Sequence, residues 1–402
     1  MIKERLKRIP IFENINRAVK SVTVASRYRA TRRYYEARAK PIPHTALLDG
    51  RITAWPARRS LLTERPRLFL LGTDEQQDRG GMLQALGLLS DLRWFTRADG
   101  SYGQNDPSPP VQRVANNTRR LHDQLETLSS AGWTADLLIA QTWASTIEPG
   151  ALSEVRERWG TFIINIAMDD RHQYWGRKLG GHWDGTYPFI PHLDLTLTAA
   201  PECVEWYEKE GCPALYFPEA SDPDIFRPMP ELPKVHDVCF VGGCYGIRGE
   251  IVTALRRAGV KVAAYGSGWE GGRIATEDVP RLFAQSRIVL GVGTIGHCRD
   301  FYALKMRDFD GPMSGSLYAT HDNSDLHTLF EPGREIVLFR NTADCVEKVR
   351  HYLAYDAERD AIAAAGRTRA ARDHTWHSRF GRLISLLQGR ENRIVDAAGT
   401  PE

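Results

Sequence analysis

The stretch Leu304 to Thr320, LKMRDFDGPMSGSLYAT, holds the densest set of groups able to do chemistry. Two cations, Lys305 and Arg307, stand beside two carboxylates, Asp308 and Asp310, and a small-residue turn at Ser314-Gly315 leads into an apolar strand. Glycine and serine at a turn let backbone N–H groups approach an anion, and nearby cations offset phosphate charge. A carboxylate in the same place can accept both hydroxyls of a ribose. Lys305, Arg307, Asp310, Ser314 and Gly315 are therefore candidates for binding a nucleotide. Without a ligand, the same residues would be a charged surface turn between helix and strand.

A second candidate is Asp169-Asp170-Arg171-His172, directly after the apolar run TFIINIA (161–167). The carboxyl end of a buried strand is where α/β sheets place their sites, and Asp169 or Asp170 there could take a proton from an acceptor hydroxyl. The alternative is a solvated loop with a helix cap. The pair is not a D-x-D metal motif, and His297 and His374 show no ligand spacing, so no metal is expected. Six scattered cysteines without a C-x-x-C pair read as reduced thiols.

The elements that must position these groups alternate. RLFLLG (67–72), ADLLIAQ (135–141), TFIINIA and LDLTLTA (193–199) read as buried strands, separated by helical stretches including 113–131 and 200–210. The proline-rich stretch around 221–236 interrupts the rhythm. It restarts with DVCFVGG (237–243), a helix over 246–258, VKVAAYG (260–266), a short helix near 278–285 and RIVLGVG (287–293). SLYAT (316–320), EIVLF (335–339) and a helix over 342–354 follow, the last capped by Asn341. Apolar strands alternating with helices predict parallel sheets covered on both faces.

At 402 residues the chain exceeds one usual core, and two lobes are expected. The expected division is a basic extension and connector over 1–65, a lobe over 66–220, a linker over 221–236, a second lobe over 237–375, and a terminal helix and tail over 376–402. Residues 1–65 hold 16 Lys/Arg against 5 Asp/Glu, which leaves the other 337 residues at net −8. In residues 1–40, Phe12, Ile15, Val19 and Val22 recur at helical spacing among arginines. Such a helix could lie on an anionic membrane surface, or pack on the protein with its basic face in water. No recognised nucleic-acid-binding fold accompanies the charge. No apolar run reaches eighteen residues, and the first ten lack the apolar core of a secretion signal, so a cytoplasmic protein is expected, held at most to the inner face of a membrane.

Taken together, TAAPECVEWYEKEGCPALYFPEASDPDIF, DVCFVGGCYGIRGEIVTAL, YGSGW and the 304–320 segment with FEPGREIVLF resemble, in order and spacing, the C-terminal lobe of group 1 (family 4-like) glycosyltransferases. The resemblance covers roughly residues 193–375 and is greatest to the CgeB-type, spore-maturation branch. It implies an α/β chain of the GT-B fold, two facing Rossmann-like lobes with the basic helical extension added. It implies transfer of a sugar from a nucleoside diphosphate to a glycan or lipid-linked acceptor, as in cell-surface polysaccharide synthesis, with no cofactor beyond the nucleotide sugar and no catalytic metal. Asp310 stands where the family has the second Glu of E-x7-E, which holds the ribose. Tyr302 stands in place of the first. Arg248, after Gly242-Gly243, falls at the family's phosphate-binding cation, Gly266 opens the matching YGSGW, and Gly80-Gly81 matches the glycine loop of the first lobe. A sugar-nucleotide epimerase on the same scaffold and a non-catalytic sugar-binding protein are the alternatives.

Overall fold

The computed structural model describes residues 10–55, 65–179 and 181–390. It divides into two compact units. One comprises Tyr35–Asp222 and the chain from Asp373 onward; the other comprises the chain up to Tyr34 and Pro223–Arg372. The division falls at Asp222, inside the expected linker.

The first unit is built on six parallel strands. These are β1 (Arg67–Leu71), β2 (Asp91–Trp94), β3 (Leu137–Ala140), β4 (Phe162–Ala167), β7 (Leu195–Thr198) and β8 (Ala214–Tyr216), in the spatial order β2-β1-β3-β4-β7-β8; between β4 and β7 the chain makes a small hairpin, β5 (Lys178–Leu179) with β6 (His182–Trp183). Every residue of β3, β4 and β7 is buried, which is why these strands read as unbroken apolar runs. Short β2 and β8 at the sheet's edges carry no such run, and the sequence reading missed them. Carboxylates anchor the strand starts: Asp136 accepts from Arg67 N (2.8 Å) and Asp194 from Ile163 N (2.8 Å).

The second unit has five parallel strands, β9 (His236–Val241), β10 (Val262–Tyr265), β11 (Ser286–Leu290), β12 (Leu317–His321) and β13 (Val337–Phe339), in the order β10-β9-β11-β12-β13. Helices Arg248–Arg257 and Thr342–Ala354 cover one face, the latter capped by Asn341 Oδ1, which accepts from Asp344 N (3.0 Å).

The basic amino-terminal segment forms one long helix, Pro10–Glu36. Within the second unit, Tyr28 packs on Phe301 with ring centroids 4.7 Å apart. Within the first, Tyr35 is buried against Tyr174 and Trp206, and Arg38 pairs with Glu210. The end of the arm is thus part of the folded body. The side chains of Phe12, Ile15 and Val19 lie outside the described residues, and Val22 is exposed. Among the described residues, no helix is long and apolar enough to cross a membrane.

The terminal helix Trp376–Gln388 belongs to the first unit. Thr375 Oγ1 caps it by accepting from Ser378 N (3.1 Å), and Trp376 and Phe380 bury themselves beside Phe217. Phe380→Ala should therefore destabilise the first unit by about 3–5 kcal/mol, measured by denaturant unfolding. A loss below about 1 kcal/mol would remove the helix from the core.

Candidate functional site

In the second unit, the carboxyl ends of β9, β11 and β12 gather the chemistry. β9 runs into Gly242-Gly243, and this loop is pinned to the end of β10 by Gly242 N donating to Tyr265 O (2.8 Å) and Cys244 N to Ser267 O (2.8 Å). Trp269 Nε1 donates to Gly242 O (2.7 Å). Gly266 lets the two loops touch: a Cβ there would lie 2.4 Å from the Gly242 carbonyl oxygen, and its φ is +130°. Gly242 is required for another reason. A Cβ on it would meet Arg307 Nη1 at 3.0 Å and Arg248 Nη1 at 3.5 Å, so the missing side chain makes room for two guanidinium groups.

Those two groups define the site. Arg248 is almost fully buried at the start of its helix, lying over the Tyr245 ring at 3.8 Å from the centroid. Its Nη1 donates to Gly243 O (3.1 Å) and its Nη2 to Val292 O (3.1 Å). Arg307 lies over Phe240, and its Nη2 reaches the same Val292 oxygen at 3.5 Å. Among the described residues, each buried Nε has no hydrogen-bond partner and neither guanidinium meets a carboxylate at ion-pair distance. Burial, and then the charge of Arg307, lowers the Arg248 guanidinium to about 10, which still leaves it charged at neutral pH. Like charges held together where one is buried and the other partly so are costly, and a bound anion would relieve that cost.

The rest of the 304–320 segment folds differently from the expected turn. Arg307–Met313 is a helix that buries Phe309 and Met313. Asp310 sits within it, largely buried, its N–H bonded to Met306 O (2.9 Å). Asp308 is fully buried, accepting from Lys305 N (2.7 Å) and Tyr318 OH (2.5 Å). Ser314 and Gly315 close the helix instead of opening an anion site. Their N–H groups bond to Asp310 O (3.0 Å) and Pro312 O (3.0 Å), Ser314 Oγ donates to Gly311 O (2.6 Å), and Gly315 at φ +76° packs against Pro228. A helix carboxyl end presents carbonyls, so the role expected of these two residues is corrected.

In the first unit, the acid pair after β4 divides. Asp170 points inward and is fully buried; Thr186 Oγ1 and Tyr207 OH donate to its Oδ1 (2.7 and 2.9 Å) and Thr198 Oγ1 to its Oδ2 (2.6 Å). With both oxygens engaged away from solvent, it anchors the loop and cannot meet an acceptor, so its expected role as a base is corrected. Arg171 grips Glu202 through two bonds (2.8 and 3.0 Å). Asp169 remains half-exposed, its Oδ1 3.9 Å from His172 Nε2. Gly80 and Gly81 are both buried, and a Cβ on Gly81 would strike Asp222 (2.6 Å) and Trp376 (2.9 Å). Close packing within the unit thus accounts for Gly81, and the pair is not an open phosphate loop.

Sequence reasoning missed Asp78, a fully buried acid just beyond β1. Its Oδ2 accepts from Tyr102 OH (2.7 Å) and Thr73 N (3.2 Å), and burial pushes it up to about 7. It also missed His321, the last residue of β12, because a lone histidine at a strand end carries no spacing signal. Of the other histidines, His297 Nδ1 accepts from Gly246 N (3.1 Å) and His374 is buried beside Arg379. Among the described residues, no three His, Cys, Asp or Glu side chains are placed to hold a metal ion.

A family model described as glycosyl transferase-like matches residues 248–385, about a third of the chain, and this stretch contains both arginines. No curated protein sequence matches the chain. Among solved structures, it is similar to sucrose-phosphate synthase from Thermosynechococcus elongatus (TM-score 0.58, 11% identity, covering 81% of this chain and 100% of that one). It is similar also to Anabaena Alr3699/HepE in complex with UDP-glucose (TM-score 0.57, 10% identity, 81% and 100%) and to AviGT4, a glycosyltransferase of avilamycin A biosynthesis (0.51, 14%, 81% and 99%). At these identities the likeness is one of fold. The chain has the α/β fold with two parallel sheets found in these GT-B glycosyltransferase structures.

Burial pushes the Asp170 carboxyl up to about 7, well above its ordinary 3.8. The folded state therefore holds the proton more tightly than the unfolded one. The stability it contributes is present below about pH 4 and is lost as pH rises to about 7. Asp170→Asn should flatten that fall, which amounts to a few kcal/mol by order of magnitude, in unfolding curves collected across the range. An unchanged slope in the variant would assign the effect to another group.

Proposed function

We propose that the chain is a glycosyltransferase that moves a sugar from a nucleoside diphosphate donor to a glycan or lipid-linked acceptor. The observation that carries this reading is the pair of adjacent guanidiniums, Arg248 buried and Arg307 partly buried, with no acidic partner among the described residues, at the carboxyl ends of parallel strands. A diphosphate is the anion that suits two adjacent cations, and Arg donors match phosphate oxygens in both charge and geometry. The family match over 248–385 and a GT-B relative solved with UDP-glucose support the same reading. The order of the sequence segments favours the CgeB-type branch.

The chemistry follows from charge. As the glycosidic bond to the donor breaks, negative charge builds on the departing diphosphate, and two fixed cations in a water-poor site stabilise it without reorganising. Asp310 would accept the ribose hydroxyls, and Lys305 would add a third positive charge. Asp169, the accessible acid of its pair, would take the proton of the acceptor hydroxyl if the anomeric carbon inverts. Phosphate charge is met by side chains, so turnover would need no metal. Residues 1–40, rich in arginine, would bring the enzyme to an anionic membrane surface where a lipid-linked acceptor resides.

Binding of UDP, GDP, ADP and dTDP by isothermal titration calorimetry tests the reading. At least one should bind, and Arg307→Gln should weaken it about 10- to 100-fold, the loss expected for a charge-assisted contact in a buried site. Full affinity in the variant would take the diphosphate away from this pair. A donor consumed without acceptor and returned as an isomer would show an epimerase instead.

A further inference from the structure

The carboxyl end of the second unit's sheet carries another set of buried polar atoms without protein partners, and these are uncharged. His321 is 2% exposed, and its Nδ1 is buried with no hydrogen-bond partner among the described residues. Thr294 is fully buried, and its Oγ1 is in the same condition. Tyr302 joins the two: its backbone bridges that of Thr294, and its ring lies 5.4 Å from the His321 ring. The loop carrying Thr294 and Tyr302 is itself a tied hairpin. Ala303 N donates to Gly293 O (3.0 Å) and Ile295 N to Phe301 O (2.8 Å), while His297 Nδ1 near its tip accepts from Gly246 N (3.1 Å) of the glycine loop.

Register brings His321 to the same end of the sheet as the carbonyl the two arginines share. Leu290 pairs with Ala319, so His321 stands two residues further along β12 and Val292 two residues past the end of β11. Val292 supplies the carbonyl that both guanidiniums share. A group attached to a diphosphate held by Arg248 and Arg307 would therefore reach His321 and Thr294 next.

Their chemistry differs from that of the arginines. Burial lowers the His321 imidazole to about 4, so it is neutral near pH 7 and offers one donor and one acceptor. A threonine hydroxyl offers the same combination. Phosphate and carboxylate oxygens only accept, and an anion here would gain no charge-assisted bond. A sugar hydroxyl donates and accepts, and it can satisfy both orphaned atoms. Tyr302, where the resembling family keeps a carboxylate, likewise adds no charge.

We propose that Thr294 and His321 form the subsite that reads the hydroxyls of the donor's sugar, and that this sugar is uncharged. The proposal rests on the diphosphate reading above. It extends that reading from the nucleotide to the transferred group.

The test uses the full chain and two kinds of probe. UDP and GDP report the diphosphate site; UDP-glucose, UDP-glucuronate and GDP-mannose report the sugar. Calorimetry should show that His321→Phe, which keeps an aromatic ring against Tyr302 and Phe339, weakens the neutral nucleotide sugar about tenfold. The bare diphosphate should stay within about twofold of wild type. Thr294→Val, nearly the same shape, should act in the same direction and carries the test if the histidine variant melts early. UDP-glucuronate should bind wild type more weakly than UDP-glucose, or GDP-mannose should bind while UDP-glucuronate does not. Equal weakening of diphosphate and nucleotide sugar, no weakening of either, or tightest binding by the glucuronate would each overturn the subsite while leaving the diphosphate reading intact. Failure of wild type to bind any of UDP, GDP, ADP and dTDP would overturn both.

Discussion

Two neighbouring positive charges, one buried and one partly buried, constrain everything around them. Arg248 is cut off from water and Arg307 partly so, and the protein surrounds them with weaker substitutes: the carbonyls of Gly243 and Val292, and the faces of Tyr245 and Phe240. Those substitutes dictate local structure. Gly242 must lack a side chain so that both guanidiniums fit beside it, and Gly266 must lack one so that the Gly242 loop can rest on the end of β10. The order β10-β9-β11-β12 then brings the Gly242 loop, Val292 and His321 to one edge from segments about eighty residues apart in sequence. The parallel sheet is thus the device by which distant residues share one electrostatic problem.

In the first unit, local geometry separates an acid that can do chemistry from one that is structural. Adjacent residues at a helix start point about 100° apart, so Asp169 and Asp170 had to diverge. Tyr207, Thr186 and Thr198 captured the second, and Arg171 was drawn to Glu202. Nothing in Asp-Asp-Arg-His says which acid turns inward, because the three hydroxyls come from residues 16 to 37 positions later.

Much of the fold was legible before any coordinates. Buried parallel strands read as unbroken apolar runs, and β1, β3, β4, β7, β9 and β11 to β13 lie where those runs predict. The helix Arg307–Met313 was not legible, for a physical reason. Gly311 and Pro312 oppose helix formation locally, yet Gly311 is forced by the Tyr318 ring, which would lie 2.3 Å from a Cβ there. Packing on a strand that follows in sequence overrides propensity, and Ser314-Gly315 then ends a helix where a loop was expected. Arg248 and Arg307 were legible as cations. Their lack of acidic partners could only be seen once Asp308 was found committed to Lys305 N and Tyr318 OH.

That commitment of Asp308 has an electrostatic consequence. A carboxylate turned toward Arg307 would leave the site with one net positive charge in place of two. Tyr318 OH and the Lys305 N–H hold both oxygens of Asp308 in the helix start, away from ion-pair contact with the guanidinium. Across the site, His321 is kept neutral by burial and Arg248 stays charged to about pH 10. The cationic part and the neutral part of the sheet edge therefore keep their characters between about pH 5 and pH 9. A donor whose phosphates meet the first and whose sugar meets the second would be oriented by the contrast alone. Reversing the donor would set phosphate oxygens against groups that carry no charge and leave two guanidiniums unmatched.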